Sequence, residues 1–393
     1  MTEIQKKDMS VYLDNNATTP LDPSVADKMC WFLREYFGNP SSIYPIGRAV
    51  KDIISQAREN VAKALGAQRC EVFFTASGTE SDNWAIRGGL DTYPEKREII
   101  TSTIEHPAVL QQAKYLEKKG IKVSYVPVNK FGEIDLDFLR AAITPQTALI
   151  SIMHANNEIG TIQPLEAVVS IAKDHGVLIH SDAVQSFGKT DLDVVKLGVD
   201  FVSVSAHKIY GPKGVGALYV RKGVDICPFI HGGHQERGIR AGTENTIGIV
   251  GFGEAARILM ERGRKDRERV EKLADILRKG IEEKIPKVVF NGHPEKRVKN
   301  TLNVAFPGLE AEAILLALAT KGISVSTGSA CSSESEEVSS VLLSIGLRPE
   351  IARSCVRMSL GRFNTEEHIQ AVLHELPEII LKLRQISAFD PEG

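Results

Sequence analysis

The chain has 393 residues, a net formal charge of −2, 42% hydrophobic and 25% charged residues. That is an ordinary globular composition, which excludes a mainly disordered chain and a single small module. A near-neutral chain has no global basic field, so neither direct nucleic-acid binding nor attachment to an anionic membrane is expected. The opening MTEIQKKDMS lacks the apolar stretch of a signal peptide. The longest apolar run, around Ala313–Ala319, falls far short of the roughly 20 residues that cross a bilayer. Five cysteines (Cys30, Cys70, Cys227, Cys331 and Cys355) are scattered and form no CxxC pair. A reducing, cytoplasmic location is therefore expected, where a special cysteine acts by chemistry rather than by cross-linking.

From Glu71 onward, short apolar runs alternate with helical stretches. EVFF reads as a strand, SDNWAIRGGL as a helix and EIITST as a strand. PAVLQQAKYLEKKG is a helix with Pro at its start and Gly120 at its end. KVSYVPV, DLDFLRAAI and TALISIM continue the alternation, and PLEAVVSIAKDHG is a helix ending on Gly176. VLIHSDA and DFVSVSA are strands. The pattern predicts an α/β fold whose largely parallel sheet carries helices on both faces, over roughly the first two-thirds of the chain. Near Ala255 the pattern changes. The stretch ILMERGRKDRERVEKLADILRKGIEEKI spaces Val270, Leu273, Leu277 and Ile281 as a helix does, and its interleaved acids and bases read as a solvated face rather than an RNA-binding surface. NTLNVAF, AEAILLALATKG, ISVSTG and CVRMSL then read as a second, α+β unit.

Parallel sheets bind ligands beyond the carboxyl ends of their strands. After EVFF comes Thr75-Ala76-Ser77-Gly78-Thr79-Glu80, small residues opening a helix: a phosphate cradle or an ordinary helix cap. After EIITST comes Glu105-His106-Pro107, where a histidine can stack on a ring, move a proton or serve structure. After TALISIM, Asn156 and Asn157 suit polar ligand contacts or a turn. After VLIHSDA, Asp182 and Gln185 lie three apart, and a buried carboxylate needs a cationic or protonated partner. After DFVSVSA, His207-Lys208 is followed by IYGPKGVG, and a lysine at a sheet end can serve as a Schiff-base lysine. Phosphate cradle, ring-stacking histidine, acid and lysine together match pyridoxal phosphate. The glycines of GPKGVG lack the strand–turn–helix order of a dinucleotide site. Cys227, His231 and His234 have zinc-like spacing, but their glycine-rich setting reads as a mobile loop. Cys331 sits among small polar residues followed by Glu334, Glu336 and Glu337, which suits an exposed loop and a candidate nucleophile whose thiol is activated inside the site. Strand alternation places Cys355, Arg357 and Ser359 on one face. There Arg357 either grips a carboxylate with two parallel bonds or makes a surface salt bridge.

The sequence resembles the NifS/IscS-type cysteine desulfurases, pyridoxal-phosphate enzymes of the class V aminotransferase fold. The resemblance runs through ten motifs in order: YLDNNATTP at Tyr12–Pro20, FGNPSS at Phe37–Ser42, SGTESDN at Ser77–Asn83, EH at Glu105–His106, HANNEIGTIQP at His154–Pro164, HSDAVQSFGK at His180–Lys189, SAHKIYGPKGVGALYV at Ser205–Val220, ERGIRAGTEN at Glu236–Asn245, TGSACSS at Thr327–Ser333 and VRMSLGRFNTEEHI at Val356–Ile369. It departs from the family pattern at ASGTES, at His234, at Val338-Ser339 and at Cys355, where a serine is common.

The resemblance implies a mainly parallel, seven-stranded-type sheet of pyridoxal-phosphate fold type I in a large domain (15–255). A smaller α+β domain (1–14 and 256–393) is expected to carry the cysteine loop at about 326–340. It implies that Lys208 holds the cofactor and moves protons, that Asp182 pairs with the pyridinium nitrogen, and that Gln185 bonds the ring hydroxyl. His106 stacks on the ring and acts as an acid or base, and so counts with Cys331 and Lys208 among the catalytic residues. Gly78, Thr79, Ser205 and His207 hold the phosphate, helped by Thr243 from the other subunit of a homodimer. Asn157 and Arg357 bind the carboxylate of L-cysteine. Cys331 takes the substrate sulfur as a persulfide, for delivery to an iron–sulfur scaffold protein or another acceptor, tRNA thiolation included. A selenocysteine lyase, another class V enzyme or a non-catalytic scaffold of the same fold are the competing readings.

Overall fold

The computed structural model describes residues 10–327 and 338–387. In chain order its strands are β1 (Val11–Tyr12), β2 (Val72–Thr75), β3 (Glu98–Ser102), β4 (Lys122–Val126), β5 (Thr147–Ser151), β6 (Leu178–Asp182), β7 (Phe201–Ser205), β8 (Gly216–Val220), β9 (Val289–Asn291), β10 (Thr301–Ala305), β11 (Ile323–Ser324) and β12 (Cys355–Ser359). Among the described residues, seven of them form one sheet in the order β2-β8-β7-β6-β5-β3-β4. All its pairings are parallel except those of β8, which runs antiparallel to both neighbours. The central strands β5 and β7 are buried at every position, as expected of strands covered on both faces. The edge strand β4 keeps Lys122 exposed and Val123, Ser124 and Tyr125 half-buried.

Helices cover both faces. On one side the core joins Val50, Phe74, Ile150, Val202 and Phe252. On the other, Trp84 and Ile86 of helix Gly78–Thr92 pack with Leu149, Phe201 and Leu218. The punctuation acts as the sequence suggests. Helix Pro107–Lys118 begins on its proline with His106 as cap, and Gly120 follows at φ 80°. Helix Leu165–Asp174 is followed by Gly176 at φ 64°.

The remainder forms an antiparallel sheet, β12-β10-β9, and a two-residue parallel pairing of β1 with β11. A separate core joins Leu13, Leu277, Val304, Phe306, Val356 and Ile380. Two differences from the sequence reading have clear causes. The stretch ISVSTG yields only Ile323–Ser324 as strand, because its partner β1 is equally short. The charged helix begins earlier, at Thr246, where Asn245 caps it by accepting from the Gly248 N–H, and it runs unbroken to Lys284. Its glycine-rich start hides the helical periodicity. Gly253 is needed there, since a Cβ would meet Ala57 Cα at 2.5 Å on the helix Pro45–Leu65. This one helix feeds both cores, through Phe252 and Ala256 and then through Val270, Leu273 and Leu277.

Candidate functional site

A cavity of about 260 Å³ opens beyond the carboxyl ends of β2, β3, β5, β6 and β7. It gathers ten of the twelve residues singled out from sequence: Gly78 and Thr79 after β2, His106 after β3, Asn157 after β5, Asp182 and Gln185 at the end of β6, Ser205, His207 and Lys208 at the end of β7, and Arg357 from β12. Thr243 is exposed and does not line the cavity of its own chain. Cys331 and the segment that carries it lie outside the described residues.

Gly78 opens the helix Gly78–Thr92, and Ser77 caps it by accepting from the Glu80 N–H at 3.1 Å. A Cβ at Gly78 would sit 2.8 Å from Val184 Cγ2 and 3.7 Å from Ser205 Cβ. Glycine therefore lets this helix start close onto the cavity wall, where its free N–H groups and dipole favour an anion. His207 adds an imidazole bonded to Thr18 Oγ1 at 3.1 Å. Burial and then Lys208 push its pKa down to about 4, so it stays neutral.

Lys208 Nζ donates to the carbonyls of Asn16 at 2.5 Å and Ala17 at 2.7 Å. Asp182 accepts from the Val184 N–H at 2.9 Å. Burial, helped by neighbouring Asp82, raises its pKa, so its carboxylate needs a cation to be ionised at no cost. His106 Nδ1 accepts from the Ala108 N–H at 3.1 Å. The neutral ring thus carries its proton on Nε2, the nitrogen left for the cavity.

Arg357 is not a surface residue. It is 2% exposed. Its Nη2 lies 2.7 Å from Asp14 Oδ1 and its Nη1 donates to the Asn157 carbonyl at 3.1 Å. Cys355, two residues earlier on the same face, is fully buried between Asn291 Nδ2 and the Ile351 carbonyl, each at 3.3 Å from Sγ. Burial pushes its thiol up to about 12, which makes it inert rather than a rival nucleophile. Among the described residues no group of three or more His, Cys, Asp and Glu could hold a metal ion.

The described residues that flank the Cys331 segment, Ser326 and Ser339, meet residues of the cavity lining. Ser326 pairs backbone to backbone with Arg357, and Ser339 Oγ donates to Glu158 Oε2 at 2.6 Å. Both Arg357 and Glu158 line the cavity.

Several neighbours had no assigned role in the sequence reading. Asp82 lines the cavity, is 1% exposed and has one oxygen, Oδ1, with no hydrogen-bond partner among the described residues, 3.5 Å from His180 Nε2. Burial raises its pKa to about 7. Glu105, raised by burial to about 8, accepts from Ser102 Oγ at 2.6 Å and from the Met153 N–H. Asn16 and Lys189 complete a polar layer beside Lys208. The signal was present in YLDNNATTP and HSDAVQSFGK as motifs, but nothing local marked which of their residues face the cavity.

The donor set fits pyridoxal phosphate. A helix start with Ser205 and His207 suits a phosphate, a buried acid suits a protonated ring nitrogen, and a lysine in the same cavity suits an aldehyde. Comparison with known proteins points the same way. The family model "Aminotransferase class-V" matches residues 11–372. Cysteine desulfurase IscS of Methanosarcina thermophila is 49% identical over 390 residues, covering 99% of this chain and 96% of that one. A solved NifS-like protein superposes with a TM-score of 0.90 at 43% identity, over 95% of this chain and all of the other. The solved structure of SspA in complex with cysteine is 37% identical with a TM-score of 0.78, over 90% of this chain and 99% of that one.

Proposed function

This chain belongs to the class-V aminotransferase family and is a pyridoxal-phosphate-dependent cysteine desulfurase, and we propose that the cavity described above is its active site, with Cys331 as the sulfur carrier. The observation that carries the site assignment is the convergence of Lys208, Asp182, His106, Arg357 and the Gly78 helix start on one cavity. When bound, pyridoxal phosphate supplies an electron sink for negative charge at the substrate's α-carbon. Lys208 holds it and moves the proton at that carbon. Asp182 would pair with its ring nitrogen, Gln185 would bond its ring oxygen and His106 would stack on its ring. Gly78, Thr79, Ser205 and His207 hold its phosphate, with Thr243 of the partner subunit. Asn157 and Arg357 grip the carboxylate of L-cysteine, which fixes the α-carbon relative to Lys208 Nζ. The Cys331 sulfur bonds to the substrate sulfur, the substrate's carbon–sulfur bond breaks, and L-alanine leaves a persulfide behind.

Chain length makes that last step feasible. Cys331 is four residues beyond Thr327, a reach of about 14 Å when extended, and its segment starts and ends beside cavity residues. The acceptor of the sulfur is a protein, an iron–sulfur scaffold in the first instance and tRNA thiolation machinery in the second. The working unit is a cytoplasmic homodimer of two-domain subunits, divided at 15–255 and at 1–14 with 256–393. No described helix is long and apolar enough to cross a membrane.

The visible spectrum of the purified protein, followed by alanine and sulfide assays with L-cysteine and reductant, tests the reading. A yellow protein whose band is lost in Lys208→Ala, and which releases alanine and sulfide in equal amounts, is expected. Cys331→Ala should lose persulfide formation. A protein that stays colourless after incubation with pyridoxal phosphate refutes the cofactor. A yellow protein that makes no alanine refutes the substrate.

A further inference from the structure

Lys189 has no role in the chemistry above. Its Nζ donates to Gln185 Oε1 at 2.7 Å and to Asn16 Oδ1 at 2.8 Å, both neutral acceptors. Burial, and the cations Lys208 and Arg357 nearby, push its pKa well below the ordinary lysine value. Holding such a group beside two other cations costs stability, so its contacts call for an explanation.

Both amides it touches have a determined orientation. Backbone carbonyls only accept hydrogen bonds. Gln185 Nε2 donates to the Asn16 carbonyl at 2.9 Å, so Oε1 is the end turned to Lys189. Asn16 Nδ2 donates to the Asn157 carbonyl at 3.0 Å and to Thr301 Oγ1 at 2.8 Å, so Oδ1 is its end turned to Lys189. Asn16 and Gln185 line the cavity, whereas Lys189 stands behind them, outside its lining. Gln185 Oε1 is thus turned to Lys189, outside the lining, and Nε2 gives one N–H to the Asn16 carbonyl and has a second left to donate.

We propose that Lys189 is a positioning residue that, by holding Gln185 Oε1 and Asn16 Oδ1, makes Gln185 a hydrogen-bond donor to an anionic ring oxygen of the cofactor. This rests on the pyridoxal-phosphate reading of the cavity. A donor at that position favours the ionised ring oxygen over a hydroxyl, because the bond to the anion is charge-assisted and stronger. It also ties Gln185 and Asn16 into one unit, and Asn16 in turn receives Lys208 on its carbonyl.

The test is titration of the full-length protein, freed of cofactor, with pyridoxal phosphate and with 3-deoxypyridoxal phosphate, which lacks the ring oxygen. Lys189→Met should weaken pyridoxal phosphate about tenfold, the loss of one well-directed hydrogen bond to a charged group. It should leave the affinity for the 3-deoxy compound unchanged. In a Gln185→Ala background Lys189→Met should weaken pyridoxal phosphate little further, since the effect of Lys189 on the ring oxygen passes through Gln185. Lys189→Arg, another donor-only side chain, should recover most of the affinity, and Lys189→Gln replaces Lys189→Met if the latter fails to fold. Equal weakening of both compounds, or a full additional loss in the Gln185→Ala background, overturns the proposal. Failure of the unsubstituted protein to bind pyridoxal phosphate at all overturns the cofactor reading itself, a result distinct from either.

Discussion

Replacing Arg357 by lysine keeps a positive charge in the cavity and removes the planar fork. The guanidinium is 2% exposed, lies 2.7 Å from Asp14 Oδ1 and donates to the Asn157 carbonyl at 3.1 Å. A single ammonium cannot keep both acceptors and also meet a substrate carboxylate with two parallel bonds. One lost hydrogen bond to a charged group is worth about 1.5–3 kcal/mol, which corresponds to about tenfold to 150-fold in kcat/KM. Alanine release measured across a range of L-cysteine concentrations should show that loss. The strand itself should survive, because β12 stays paired with β10 through backbone bonds, Asn303 opposite Arg357. Cofactor absorption should therefore be retained, which separates a substrate-binding defect from cofactor loss. A kcat/KM within threefold of the unsubstituted enzyme would refute the carboxylate role and leave Arg357 as the structural partner of Asp14. Arg357→Ala goes further, since removing one member of a buried ion pair costs about 3–5 kcal/mol. The low end is expected because the Asp14 side chain keeps 18% of its exposure.

Cys355→Ser should keep alanine formation within about twofold, and peptide mapping after iodoacetamide treatment of the native protein at pH 8 should find Cys355 unmodified; labelling there would contradict its burial and its raised pKa. Glu105 gives a pH test on the cofactor-free protein. Its folded pKa is raised from 4.5 to about 8, so the folded state keeps a proton that the unfolded chain releases. The stabilisation is complete below about pH 4.5 and is lost as pH rises through about 8. Relative to Glu105→Gln, an uncharged isostere, the unsubstituted protein should lose about 1.4 kcal/mol per pH unit across that window. Denaturant unfolding at several pH values measures it, and a stability difference that is flat from pH 5 to 8 would show that Glu105 is ionised in the fold.

The α/β alternation, the helix ends at Pro107, Gly120 and Gly176, and the residues waiting at the strand ends could all be read from the chain. They are local properties: the period of apolar residues, the φ of a glycine, and the position of a polar residue just past a strand. The cavity residues found this way sit within a few residues of the strand that presents them, which is why Lys208, Asp182 and His106 stood out. Partnership was not legible. A side chain's spacing reports that it is buried, not what it meets. Asp14 and Arg357 pair across 343 positions of sequence, and Lys189 reaches Asn16 across 173. The strand order β2-β8-β7-β6-β5-β3-β4 likewise depends on which edges find each other in three dimensions. The same holds for the inert Cys355 and the buried Asp82 carboxylate, whose chemistry is set by burial among residues from distant segments. The sequence by itself determined the elements and the reacting groups they carry. Only the tertiary structure decided which of those groups share a low-dielectric cavity, because burial and charge act through space and not along the chain.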